Sequence, residues 1–328
     1  MRIKNRCNVE LPFQMPRFIT YHFLASAGVV AQNNEAADIW YFNNAISVFC
    51  APGLLKGDTY HPGISLTIGN IWDMPFLEKE FFGTNFVKNC TREIIDAALE
   101  QGYYVSIWGI DDYYVEGKTM YKQRHMTHDC LICGAEYETK QYLIAAYDIQ
   151  WRYRRFSTSQ KGVIAGLRAV SNQGKYGELV AVRCNDERIR LDIPHIKREL
   201  AVYLNTPAVK PEENALGIHA FLRLSEYLEL IKTGEITNEG IDRRIFQFMW
   251  EHKQCMLDRI MTVEADCKLS DEISTAYAPL VSLSDFIRRM YMKYCAKRND
   301  QTINAIQEKM KQLIDDEAYL LRSLCEQI

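Results

Sequence analysis

Apolar positions fall along this chain in two rhythms, one through roughly the first two hundred residues and another beyond them. Phe18, Ile19, Phe23, Leu24, Ala27 and Val30 recur at helical spacing, which predicts a helix over 18–30 that Gly28 weakens near its end. Residues 38–50, DIWYFNNAISVFC, read as a second helix with an aromatic face, stopped by Ala51-Pro52-Gly53. The stretch 54–88 is rich in glycine and aromatics and predicts short strands and loops. TREIIDAALEQG then predicts a helix with Thr91 as its cap and Gly102 as its stop. YYVSIWGI (103–110) is β-branched and aromatic and predicts a strand, which DDYYVEGK carries into a turn at Glu116-Gly117. HDCLICG (128–134) and QYLIAAYD (141–148) flank the polar loop AEYETK, the pattern of a hairpin.

From about residue 195 the pattern becomes helical throughout. PHIKRELAVYLN, ALGIHAFLRLSEYLELIKTG, IDRRIFQFMWEHKQCMLDRIMTV and two further segments near 282–296 and 301–325 predict a helical bundle. Strands followed by a run of helices indicate an α+β class with separate domains. The expected boundary is the segment TPAVKPEEN, giving one domain over 1–206 and a helical one over 212–328.

Composition narrows the class. Of 328 residues, 48% are hydrophobic and 25% charged, the balance of a folded globule. A net charge of −3 gives no ground for non-specific binding to nucleic acid or to an anionic membrane. No apolar run reaches the ~20 residues that span a bilayer, and MRIKNRCNVELPF lacks the apolar core of a secretory signal. The ten cysteines form no compact framework, and several sit in apolar periodic stretches, so free thiols in a reducing, cytoplasmic setting are expected. Nothing in the sequence bears on the oligomeric state.

The hairpin carries the candidate chemistry. A loop centred on Glu138 sets Leu131 opposite Ala145 and, extended outward, His128 opposite Asp148. Opposed residues share a face of the sheet at ~5 Å between Cβ atoms. A carboxylate so placed holds an imidazole in one tautomer and stabilises its protonated form, although the same pair is equally a surface ion pair. His125-x-x-His128 and Cys130-x-x-Cys133 have the look of metal-binding pairs. Residues three apart on a strand point to opposite faces, so neither pair converges easily on one ion, and no metal is expected.

The block GYYVSIWGIDDYYVEGKTMYKQRHMTHDCLICGAEYETKQYLIAAYD resembles the C39-peptidase-like proteins coded beside nonribosomal peptide and polyketide assembly lines. It is similar to the N-terminal domain of butirosin biosynthesis protein H and to the papain-like amide-forming enzyme of closthioamide biosynthesis. The later stretch IDRRIFQFMWEHKQCMLDRI resembles the "DxR…EHKxxMxxR" segment of such proteins. The resemblance implies a papain-like, cysteine-protease-like front domain and a Cys–His–Asp triad whose last two members match His128 and Asp148. It further implies transfer of an acyl group from a phosphopantetheinyl carrier protein to a small amine, without a cofactor. The nucleophile slot falls near Thr20, with Gln14 as the oxyanion candidate, so a hydroxyl stands where the family has a thiol. Ala135-Glu136 stands where the family tends to have Tyr-Asp.

Three functions follow from this reading. The first is an acyl or aminoacyl transferase forming an amide bond, with His128 as base and then acid, Asp148 as its orienter and Thr20 as acyl acceptor. The second is a catalytically degenerate binding or scaffold protein of the same kind of pathway. The third is a hydrolase acting on a thioester or peptide.

Overall fold

β-branched and aromatic residues concentrate in YVSIWGID (104–111), the strand that pairs on both sides in the larger sheet. The computed structural model of the chain describes residues 7–83, 89–172 and 178–328. The strands are β1 Val9–Glu10, β2 Val48–Cys50, β3 Ile64–Leu66, β4 Leu77–Gly83, β5 Tyr104–Asp111, β6 Thr127–Glu136, β7 Gln141–Tyr147, β8 Tyr153–Ser159, β9 Glu178–Cys184 and β10 Ala215–Leu216. The described helices are α1 His22–Ala31, α2 Ala36–Asn44, α3 Thr91–Glu100, α4 Gln160–Asn172, α5 Ile193–Asn205, α6 Ile218–Lys232, α7 Ile245–Cys267, α8 Glu272–Lys297 and α9 Asp300–Gln327. The class is α+β, with an antiparallel sheet.

Two compact units emerge, Met1–Ala37 with Ile71–Arg188 and Asp38–Asn70 with Ile189–Ile328. The expected boundary near 206–212 falls inside the second unit. The reason is pairing: β10, just past that segment, joins β2 with Ala215 opposite Cys50, so residues 38–70 belong with the helices.

In the first unit the strands run in the order β4-β9-β5-β6-β7-β8, with β1 added to β6. Alternation along the strands sends Val105, Ile107, Cys130, Ile132, Ile144 and Ala181 into a core with Ile95 and Leu99 of α3 and Val163 and Leu167 of α4. The alternate positions meet α1: Tyr104 accepts a hydrogen bond from Asn33 at 3.0 Å, and the Cys184 thiol lies 3.1 Å from the Val30 carbonyl. Gly166 of α4 sits so close to β5 that an added Cβ would lie 2.8 Å from the Asp111 carbonyl oxygen. This closeness fixes the end of β5 against α4.

The second unit is not purely helical. Residues 38–50 divide into α2 and β2, because the β-branched run after Ala45 joins a three-stranded sheet in the order β10-β2-β3. Buried charged residues of α7 hold that segment. Arg259 donates to the carbonyls of Tyr41, Phe42 and Ala45, at 3.1, 2.7 and 2.7 Å, satisfying acceptors at the C-terminal end of α2. The His252 ring Nε2 lies 2.8 Å from the Ile46 carbonyl. Lys253 reaches both carboxylate oxygens of Glu317 on α9, at 2.8 and 2.6 Å, and Tyr203 and Tyr277 donate to the same carboxylate. The EHK…M…R stretch is thus a polar core of this unit.

Candidate functional site

The site forms where β5 leaves the sheet. Gly109, at φ +100, sits in an irregularity between Ile107 and Ile110 that turns the strand end. Asp111 then caps a short 3-10 turn over Asp112–Tyr114 by accepting from the Tyr113 amide at 3.1 Å. The Asp112 amide donates to the Met126 carbonyl at 2.9 Å, and Ile110 pairs with His128. These bonds bring Asp112 to the first residues of β6.

There His128 Nδ1 lies 2.6 Å from Asp112 Oδ2, while Lys118 Nζ lies 2.6 Å from Asp112 Oδ1. Lys118 and Asp112 are fully buried, whereas the His128 side chain is 17% exposed. Burial alone would raise the Asp112 carboxyl; the Lys118 charge and the His128 hydrogen bond outweigh it and hold the group below the usual carboxylate range. Lys118 also donates to the Asp129 carbonyl at 3.1 Å. Burial pushes the Asp129 carboxyl up, against the attraction of Lys118 and His128. An ionised Asp112 accepts a hydrogen bond from Nδ1–H of His128 and so leaves Nε2 as the nitrogen free to take a proton.

On its other side His128 meets the start of α1. The His22 ring stacks on it with centroids 4.9 Å apart and an interplanar angle of 19°, and Tyr147 meets His22 edge-on at 4.8 Å. The Tyr147 hydroxyl donates to the Ile19 carbonyl, tying the end of β7 to the segment entering α1.

The structure corrects the partner of His128. The expected register holds at Leu131–Ala145 and Ile132–Ile144, but β6 pairs with β7 only from Leu131 onward and β7 ends at Tyr147. Over 127–130 strand β6 pairs with β5 instead, so the imidazole finds Asp112. Asp148 closes the turn between β7 and β8. Its Oδ1 accepts from the amides of Gln150 and Arg152, at 2.8 and 3.0 Å, and its Oδ2 from the guanidinium groups of Arg152 and Arg154. Burial acts to raise this carboxyl too, but those donors lower it to about 2.

Thr20 lies two residues before His22 and is buried at 3% exposure. Helix α1 begins at His22, not Phe18, with Tyr21 at its cap, so Thr20 precedes the helix and its first turn presents His22, Phe23 and Leu24. Gln14 is exposed on the irregular segment before α1. Cys7 is exposed; Cys50 lies in β2 and not at a helix end, and burial pushes its thiol to about 12. Cys130 and Cys133 are buried on β6, and burial pushes both thiols to about 12.

His125 forms a second pair, with Nδ1 2.7 Å from Asp111 Oδ2 and the Tyr113 ring stacked on it at 4.3 Å. The two histidines of HMTH thus engage the two consecutive carboxylates of DDYY. Sequence reasoning had passed over Asp111, Asp112 and Lys118. The available signal was the doubled aspartate at the end of a strand predicted to neighbour the one that opens at the histidines.

A comparison with protein-family models and one with curated proteins each return no match for this chain.

Proposed function

We propose that this chain is an acyl or aminoacyl transferase of papain-like ancestry that forms an amide from a carrier-bound thioester, with His128 as its proton-transfer group. The observation that carries the reading is the buried Lys118–Asp112–His128 chain, which orients an imidazole as general acid–base catalysis requires. The amine nitrogen attacks the thioester carbonyl and a C–N bond forms. His128 Nε2 takes the amine proton and returns it to the sulfur as the C–S bond breaks. In the covalent variant the Thr20 oxygen attacks first, the C–S bond breaks and the hydroxyl proton goes to the sulfur; the amine then attacks the Thr20 ester, the C–O bond breaks and the amine proton returns to the Thr20 oxygen.

A second reading, a binding or scaffold protein of the same pathway type, is favoured by the first turn of α1. It offers no thiol or hydroxyl beside His128, where a papain-like site draws its nucleophile.

The test is conversion of acetyl-pantetheine and a primary amine to the acetamide, followed by mass spectrometry. The transferase reading expects turnover that falls by ~10²-fold or more in His128→Ala. An ester adduct on Thr20 in the intact mass would select the covalent variant. Absence of turnover, or equal turnover in His128→Ala, overturns the transferase reading and leaves the scaffold one.

A further inference from the structure

The turn that Asp148 closes has an unusual occupant. Trp151 sits at φ +60, a left-handed conformation that suits glycine or asparagine and strains a bulky side chain. Nothing local compensates by burying the ring, because Trp151 is 62% exposed and Ile149 beside it is 55% exposed. The backbone is held firmly all the same. The Trp151 amide donates to the Asp148 carbonyl at 2.8 Å and the Asp148 amide to the Arg152 carbonyl at 3.0 Å, alongside the carboxylate bonds described above. Strain that surrounding structure over-determines, with no gain in packing, points to a role outside the fold.

The charges around this turn give the partner its sign. The Ile149 amide donates to the Gly117 carbonyl at 3.0 Å, so the loop through Gly117–His125 adjoins the turn. Over 116–125 and 148–154 the exposed cations are Lys122, Arg124, Arg152 and Arg154; the acids are Glu116 and Asp148, the latter buried beneath Arg152 and Arg154. These two adjoining segments thus carry four exposed cations against one exposed acid, on a chain whose overall charge is −3. Tryptophan and arginine are also the side chains that most often dominate protein interfaces.

We infer that the Ile149–Arg152 turn is a docking knob for an acidic protein surface, with Trp151 as its apolar anchor and Lys122, Arg124, Arg152 and Arg154 as its cationic rim. Resting on the function proposed above, the partner is the carrier protein itself, whose phosphopantetheine phosphodiester adds a further negative charge. The turn adjoins the site through β7, since Tyr147, one residue before Asp148, packs on His22 beside His128.

The experiment titrates the full chain with an acidic acyl carrier protein in its acetyl-loaded form by calorimetry, across a salt series. Trp151→Gly removes the ring and relieves the backbone, so its melting temperature stays level or rises while binding weakens tenfold or more. Lys122→Glu with Arg124→Glu weakens binding and flattens its salt dependence. The inference falls if the carrier does not bind, if Trp151→Gly binds it as tightly as wild type, or if binding is indifferent to salt. It falls also if vesicles of phosphatidylglycerol capture the chain through Trp151 and the carrier does not. Carrier binding that depends on Trp151 without acyl transfer would keep the docking surface and overturn the transferase. Transfer from acetyl-pantetheine, with carrier binding indifferent to Trp151, would do the reverse.

Discussion

Asp112 Oδ2 stands 2.6 Å from His128 Nδ1, and the same carboxylate holds the buried Lys118 ammonium through its other oxygen, also at 2.6 Å. One carboxylate thus links an interior cation to a partly exposed imidazole. Under the proposed function, Asp112→Asn removes the charge that fixes the Nδ1–H tautomer and lowers kcat by ~10²–10⁴-fold. Asp148 bridges Lys118 through its backbone, but its carboxylate bonds the Gln150 and Arg152 amides and the Arg152 and Arg154 guanidinium groups, so Asp148→Asn leaves kcat unchanged. Steady-state rates on acetyl-pantetheine separate the two, and equal losses would return the orienting role to Asp148.

Lys118→Met is expected to destabilise the chain by ~3–5 kcal/mol, since it strands the Asp112 carboxylate in the interior. Combining it with Asp112→Asn removes the stranded charge and recovers part of the loss. Urea unfolding of both variants checks the sign. A double variant less stable than Lys118→Met alone contradicts the account.

Asp148 ties stability to acid. Its carboxyl is lowered from 3.8 to about 2 in the folded chain. The unfolded chain therefore takes up the proton first as the pH falls. The contribution, about 2 kcal/mol by 1.36 kcal/mol per unit, is complete above pH ~4 and is lost as the pH approaches ~2. Thermal unfolding of wild type and Asp148→Asn at a series of pH values measures it, as a gap present at pH 6 that closes toward pH 2.

His252 acts in a higher window. Burial first, then the neighbouring Lys253 and Arg259 charges, lower its imidazole well below 6.5, against the bond to Ile46. The unfolded chain protonates this residue near pH 6.5, whereas the folded chain resists. Its contribution is complete above that value and declines steadily as the pH falls below it. His252→Gln, which keeps a donor for Ile46, is expected to flatten the stability profile between pH 6.5 and 5. An unchanged slope would exclude His252 as its source.

Much of the architecture was legible in the sequence because periodicity is a local property. The hairpin centred on Glu138 has the expected register at Leu131–Ala145, and each helix expected beyond residue 193 is present, although the one expected near 282–296 begins ten residues earlier, at Glu272. The errors arose where local pattern meets tertiary context. Residues 38–50 look helical throughout, but Val48–Cys50 pair with strands contributed by Ile64–Leu66 and Ala215–Leu216. The site was half legible for the same reason. His128 was found from its strand, whereas Asp112 lies across the other edge of that strand, in a register displaced by an irregularity at Trp108-Gly109 that no local spacing announces. Lys118, a charged residue in a turn-like EGK sequence, gives no sign of being fully buried.

The discontinuity of the second unit has a consequence for synthesis on the ribosome. Ala45 must wait for Arg259, 214 residues later, before its carbonyl gains its guanidinium donor. At ~5–20 residues per second that interval is on the order of 10–40 s. For most of it α2 and the β2–β3 pair are without β10 and the helices from α5 onward, while the strands of the first unit emerge and pair. Residues 38–70 therefore stay exposed on the nascent chain until the rest of their unit has been made. A premature stop shortly before Arg259 would release a polypeptide holding every described strand yet lacking the side chain that secures the end of α2.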